Sequence, residues 1–410
     1  MADCLQLRCS KDAAPPFGQE VREKLFSLRK DLVFANHGSF GTVPRSVSEA
    51  QRRLQDEIEL EPDKWFKETS EKVWDLAADA VARFVNAQPE NIALVANATT
   101  AANCVIKSLS LSENDSILIA DHTYPAVCHT VEALQESTRA KIISHIFPYP
   151  VQSEDQFCAT FLSTLESDAS IRLAIIDHIT SQSAMVLPIR KLIGMCHERN
   201  VDVLIDGAHA PGHVPLDLEA LGADYYTGNL HKWMYSPRGC AFLYARRDKQ
   251  DCLRPPITSH YWKRDFRERF MEQGTRDFTP QCCALTAVQF YQWLGDLDSI
   301  PRYNCKLLDD AMPMLASMWK TSEQELPASM KAPGMRLIEM PLPKGFKTSC
   351  AYDVMKDLAH NYGVRVLLPV WNERIWCRIS CQVYCQSDDY VRLGKAVLKW
   401  YEANSKNDEA

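Results

Sequence analysis

The sequence predicts a doubly wound α/β domain with a mainly parallel sheet, followed by a smaller α+β domain. Three observations lead there. Five short apolar runs, NIALVAN (91–97), SILIAD (116–121), RLAIID (172–177), VDVLID (201–206) and CAFLYA (240–245), are continuous rather than alternating, as strands covered on both faces are. Helical stretches such as TFLSTLESD and RKLIGMCHERN lie between them, and that βαβ rhythm belongs to a parallel sheet. Beyond Ala284 the texture changes to one helical stretch and then spaced strands.

Taken in order, residues 1–30 are polar, carry Pro15 and Pro16, and read as an arm with a helical stretch over 19–30 that packs on the small domain. The large domain is expected over 31–285 and the small one over 286–403. In the latter, LTAVQFYQWLGDL is a helix, MRLIEMPLP, VRVLLPV and RIWCRISCQVY are strands, and YVRLGKAVLKWYEAN is a closing amphipathic helix. Residues 404–410 are expected to fray.

A chain of 410 residues, 46% of them hydrophobic, can bury the cores of two domains. Its net charge is −7 and no dense Lys/Arg stripe is present, so a nucleic-acid partner is not expected. No apolar run approaches the ~20 residues that span a bilayer, and the first residues lack the charged and apolar segments of a secretory signal. A cytoplasmic location is therefore expected. The 15 cysteines are odd in number and irregular in spacing, which suits reduced structural thiols. Cys377, Cys381 and Cys385 are spaced by four, but WCRISCQVYC reads as a strand, so no metal site is expected.

Ligands of open α/β sheets bind beyond the carboxyl ends of the strands, so the residues after each strand are the candidates for chemistry. NIALVAN leads through Ala98 to Thr99 and Thr100 at the start of a helix, where backbone N–H groups and hydroxyls can either hold an anion or simply cap the helix. Neither GxGxxG nor GxxxxGK[ST] occurs, so a dinucleotide site or a P-loop has no warrant. VDVLID ends on Asp206, a carboxylate that pays desolvation unless a cationic or hydrogen-bonding group faces it. A protonated pyridine nitrogen, as in pyridoxal 5'-phosphate (PLP), is such a partner, and a turn-forming aspartate is the plainer alternative. Twenty-six residues on, Lys232 lies between apolar and aromatic neighbours in TGNLHKW, where a lowered pKa would suit it to form an imine.

The pair DGAHAPG…TGNLHKW resembles the class V aminotransferase-fold PLP enzymes, in which a D-[GS]-A-[HQ] strand end precedes an [SN]-x-H-K lysine. The likeness runs over about 31–401 and is nearest to the isopenicillin N epimerase-like and hercynylcysteine sulfoxide lyase-like branch. It implies the PLP-dependent transferase fold type I, with Lys232 as Schiff-base lysine and acid/base, Asp206 on the pyridine nitrogen and His209 on the ring hydroxyl. Thr99 and Thr100 would hold the phosphate, with His231 and Asn229 closing around it. Tyr124 would stack on the ring, with His122 as the rival. Gly274 and Thr275 would reach across a homodimer to the partner's phosphate. Arg378 would grip the substrate α-carboxylate, with Asn36 and His37 of the NHGSFG loop and Ser181 beside it.

The resemblance leaves the reaction open, because PLP activates Cα–H in nearly all these enzymes. The stretch 363–372 contains no cysteine, which argues against a desulfurase that forms a persulfide on a loop there. C–S β-elimination from a sulfur-containing amino acid, releasing pyruvate and ammonia, ranks first. Epimerisation, with Tyr124 or His37 as the second acid, comes next, then transamination. A non-catalytic binding module is disfavoured, since Lys232, Asp206 and both threonines are present.

Overall fold

A computed structural model describes Leu7 and residues 13–405. Its centre is a seven-stranded sheet built from β1 (Ile92–Val95), β2 (Ser116–Ala120), β3 (Lys141–His145), β4 (Ile171–Asp177), β5 (Asp202–Asp206), β6 (Tyr225–Asn229) and β7 (Ala241–Ala245). The spatial order is β1-β7-β6-β5-β4-β2-β3. All pairs are parallel except those of β7, which runs antiparallel to both β1 and β6. β1, β6 and β7 are buried at every position, which explains the unbroken apolar runs of β1 and β7. β3 was not expected: KIISH is an edge strand with mixed exposure, so its sequence lacks the continuous apolar signature.

Helix α1 (Ala98–Ser108) follows β1, and α2 (Pro125–Thr138) lies between β2 and β3. α1 starts where the Asn97 side chain accepts the Thr100 N–H, an N-cap that satisfies one of the orphan donors of the first turn.

The later part holds the long helix α3 (Asp296–Trp319), an antiparallel sheet of β8 (Met335–Glu339), β9 (Val370–Trp371) and β10 (Arg374–Ser380) in the order β9-β10-β8, and α4 (Ser387–Ser405). β9 and β10 are joined only by Asn372 and Glu373, both at positive φ, the geometry of a tight two-residue hairpin. The chain start is tied to these elements: Gly18 N–H donates to the Val383 carbonyl, and Val33–Phe34 pairs in parallel with Val364–Arg365. The early helix is shorter than expected, Gln19–Leu25 instead of 19–30. Phe26 leaves it in an extended conformation so that its ring can pack among Tyr235, Phe290 and Tyr384. No helix among the described residues is long and apolar enough to cross a membrane.

Candidate active site

The parallel strands deliver their carboxyl ends to one cavity, with about 620 Å³ of empty space including its open mouth. β4 contributes Asp177, β5 Asp206, β6 Asn229, and the turn after β6 contributes His231 and Lys232. From the other side come the α1 N-terminus, Tyr124 and the loop at Ser39 and Phe40. Two glycines make this approach possible. A Cβ on Gly41, which sits at φ +63°, would fall 2.0 Å from the His231 carbonyl oxygen, and one on Gly207 would fall 2.3 Å from the Tyr226 ring.

Lys232 is buried, and burial first, then the Arg378 cation, pulls its ammonium down to about 7, against the opposing pull of Asp206 and Asp177. Its Nζ lies 3.0 Å from His209 Nε2. The Trp233 indole N–H, which can only donate, points at His209 Nδ1 at 3.4 Å. In the neutral ring that burial favours at His209, Nε2 therefore carries the proton and donates to Lys232, whose amine accepts as the neutral base. Asp206 is buried, accepts the Ala208 N–H at 3.0 Å, and is pushed upward by that burial.

At the opposite end, the Asn229 side-chain oxygen accepts the Ala98 N–H at 2.9 Å. This fixes β6 to the start of α1 and leaves the Asn229 amide nitrogen free to donate. Thr99 lines the cavity. Thr100 does not: its N–H and hydroxyl both go to Asn97, and it faces a separate surface hollow with Lys107 and Arg254. The expectation that both threonines face one ligand is thus corrected to Thr99 alone within the chain. His231 Nδ1 donates to the Cys240 carbonyl at 3.2 Å, so its Nε2 is a bare acceptor in the neutral ring that burial favours, with the imidazolium pushed down to about 4.

Arg378 stands behind Ser39 and Ser181. Nη1 donates to the Ser181 carbonyl, and Nη2 to Asn36 Oδ1 at 3.1 Å and Ser39 Oγ at 2.9 Å. Its Nε is buried without a partner, and burial lowers the guanidinium to about 10. Every acceptor it has among the described residues is uncharged, so among these it is a buried cation lacking a counter-ion.

Three other expectations change. His37 is fully buried between Lys232 and Tyr384: Nε2 donates to the Lys232 carbonyl and Nδ1 accepts from the Tyr384 hydroxyl, both at 2.8 Å. Burial drives its imidazolium down to about 3. With both nitrogens engaged it is a structural pin, not an acid or a substrate contact. His122 lies off the cavity, stacked on Phe147 at 4.6 Å and held by Ser183 Oγ, so Tyr124 is the ring on the cavity wall. Gly274 and Thr275 are exposed and do not line the cavity of their own chain.

Sequence reasoning missed Asp177, although the signal was the one that found Asp206, a carboxylate ending an apolar strand. It also missed Asn97, whose place follows only from the cap; Ser39 and Phe40 lie in the NHGSFG loop that it had placed beside the substrate.

A model of the aminotransferase class-V family matches residues 63–321. The chain is 32% identical to putative L-cysteine desulfhydrase 1 of Oryza sativa subsp. japonica, over 93% of this chain and 85% of that protein. It is 28% identical to the isopenicillin N epimerase of Streptomyces clavuligerus, over 92% of this chain and 97% of that one. Among solved structures, a cystine C–S lyase bound to its reaction product cysteine persulfide superposes with a TM-score of 0.75 at 21% identity, covering 90% of this chain and 97% of the other. That likeness is one of fold.

Proposed function

The chain belongs to the class V aminotransferase family, and from that membership we propose that it is a PLP-dependent C–S β-lyase acting on cysteine or a small cysteine derivative. The observation that carries the reading is Lys232, a buried amine biased to its neutral form, set in a cavity whose wall holds Asp206 and whose end is a helix N-terminus. The donor set suits the cofactor. A buried carboxylate with no described cation in ion-pair range calls for a protonated ring nitrogen. The Thr99 hydroxyl, the α1 N-terminus and the Asn229 amide suit a phosphate.

Bound there, PLP supplies an electron sink for a carbanion at the substrate Cα. The chain's residues would do the rest. Arg378 would trade its Ser39 and Asn36 acceptors for the α-carboxylate, which provides the missing counter-ion. Lys232 Nζ would take the Cα proton, kept on line by the His209 Nε2 proton. Tyr124 and Phe40 would cover the mouth, since both line the cavity yet remain exposed, at 42% and 68%. The sulfur substituent would leave Cβ as a thiol, and water would hydrolyse the remaining enamine to pyruvate and ammonia.

Epimerisation needs a second acid on the opposite face, and since His37 has no free nitrogen to serve, that role would fall to Tyr124 on the cavity wall; the similarity to L-cysteine desulfhydrases supports the lyase. A persulfide-carrying loop before Arg378 is replaced by the two-residue β9–β10 hairpin, which has no cysteine. The Gly274–Thr275 segment, exposed in one chain, fits a homodimer in which it reaches the partner's cavity. The test is proton NMR of the PLP-loaded protein with cysteine, S-conjugates and their sulfoxides in D2O. Pyruvate with loss of the sulfur group supports the lyase. Deuterium at Cα with loss of chirality and no pyruvate supports the epimerase instead.

A further inference from the structure

Asp177 is not explained by the roles above. It ends β4 as Asp206 ends β5, and the two are direct partners in the parallel register. Neighbouring strands lie about 4.8 Å apart and paired positions face the same side of the sheet, and both residues do line the cavity. Each is 4% exposed. Asp206 has the Ala208 N–H, while among the described residues no cation is in ion-pair range of either carboxyl.

The groups around the pair do not neutralise a second negative charge. Lys232 faces both carboxyls, but burial and the Arg378 cation pull its ammonium down to about 7, so at neutral pH it supplies only part of one positive charge to the pair. His178, next in sequence, is turned to the Tyr226 hydroxyl at 2.8 Å and is kept uncharged by burial. Two further titratable neighbours are held protonated by burial and by the pair's charge: the Tyr226 phenol on β6, beside Asp206, and the Cys128 thiol on α2, beside Asp177. Two adjacent carboxyls in a low-dielectric wall, facing no settled cation, cannot both ionise. Burial and the Asp206 charge act in that same direction on Asp177, whose carboxyl is raised well above its usual range.

We infer that Asp177 and Asp206 share one proton, carried by Asp177 and donated toward Asp206, so that Asp177 is a positioning residue that fixes a single negative charge where the cofactor ring nitrogen would sit. The inference rests on the cofactor reading for its purpose, but the shared proton itself belongs to the protein alone.

The experiment uses the full chain before and after PLP is added. Infrared spectra at neutral pH, with 13C-labelled aspartate identifying aspartyl bands, should show a protonated-carboxyl stretch that Asp177→Asn removes. PLP titration followed by absorbance should find Asp177→Asn within about threefold of wild type, because the amide still donates to Asp206, and Asp177→Ala about tenfold weaker, as expected on losing a hydrogen bond to a charged group. Absence of any labelled acid band in the wild type overturns the inference, whatever the variants do. So does an equal loss of PLP affinity in the Asn and Ala variants. A wild type that shows the acid band but takes up no PLP overturns the cofactor reading and leaves the shared proton standing.

Discussion

Lys232 owes its chemistry to burial first and to Arg378 second, with two carboxyls pulling the other way. An amine reacts only when neutral, so the sign of its pH dependence follows directly. Below about 7 the ammonium dominates and cofactor uptake by the apoprotein should slow about tenfold per pH unit; above it the rate should level off. Stopped-flow absorbance checks this. Arg378→Met removes a cation that lowers the lysine, so the midpoint should move to higher pH while KM for the amino acid rises. A midpoint unchanged by that substitution would contradict the electrostatic part of the account. His37→Ala should act differently, through stability. It strips the Lys232 carbonyl and the Tyr384 hydroxyl of their partner, at a cost of ~2–4 kcal/mol in urea unfolding.

At the scale of elements, the site is held by joints between segments far apart in sequence. The Asn229 side chain, at the end of β6, takes the first N–H of α1. Asn229→Ala should cost ~1 kcal/mol as a lost cap does and should weaken PLP binding as well, since the phosphate end of the cavity loses its alignment; calorimetry and absorbance titration read the two effects. Such joints explain what the sequence made legible. Asp206 and Lys232 were readable because a carboxylate closing an apolar strand and a lysine among aromatic residues each break the local pattern. β1, β2, β4, β5 and β7 were readable because burial on both faces leaves unbroken apolar runs. β3 was not, because an edge strand need not be apolar throughout. His37 was misplaced because NHGSFG says nothing of which way its ring turns, and only the packing against Trp233 and Tyr384 decides that.

On the scale of the whole molecule, the cavity is assembled from the central sheet, the start of α1 and the loop at 36–41, with Arg378 behind Ser39 and Ser181, and one chain leaves Gly274 and Thr275 outside it. The proposed homodimer makes use of them. Thr275→Ala should weaken PLP binding although the residue does not line its own cavity. Mixing it with Lys232→Ala subunits should give hybrids in which one of the two sites lacks both defects. A monomer in sedimentation velocity, with full PLP affinity in Thr275→Ala, would contradict the dimer while leaving the single-chain site intact. The most direct test of the central claim is borohydride reduction of the PLP-loaded protein followed by peptide mass mapping. One phosphopyridoxyl label is expected, on Lys232, absent from the Lys232→Ala variant; a label on another lysine, or none, would overturn the assignment of Lys232.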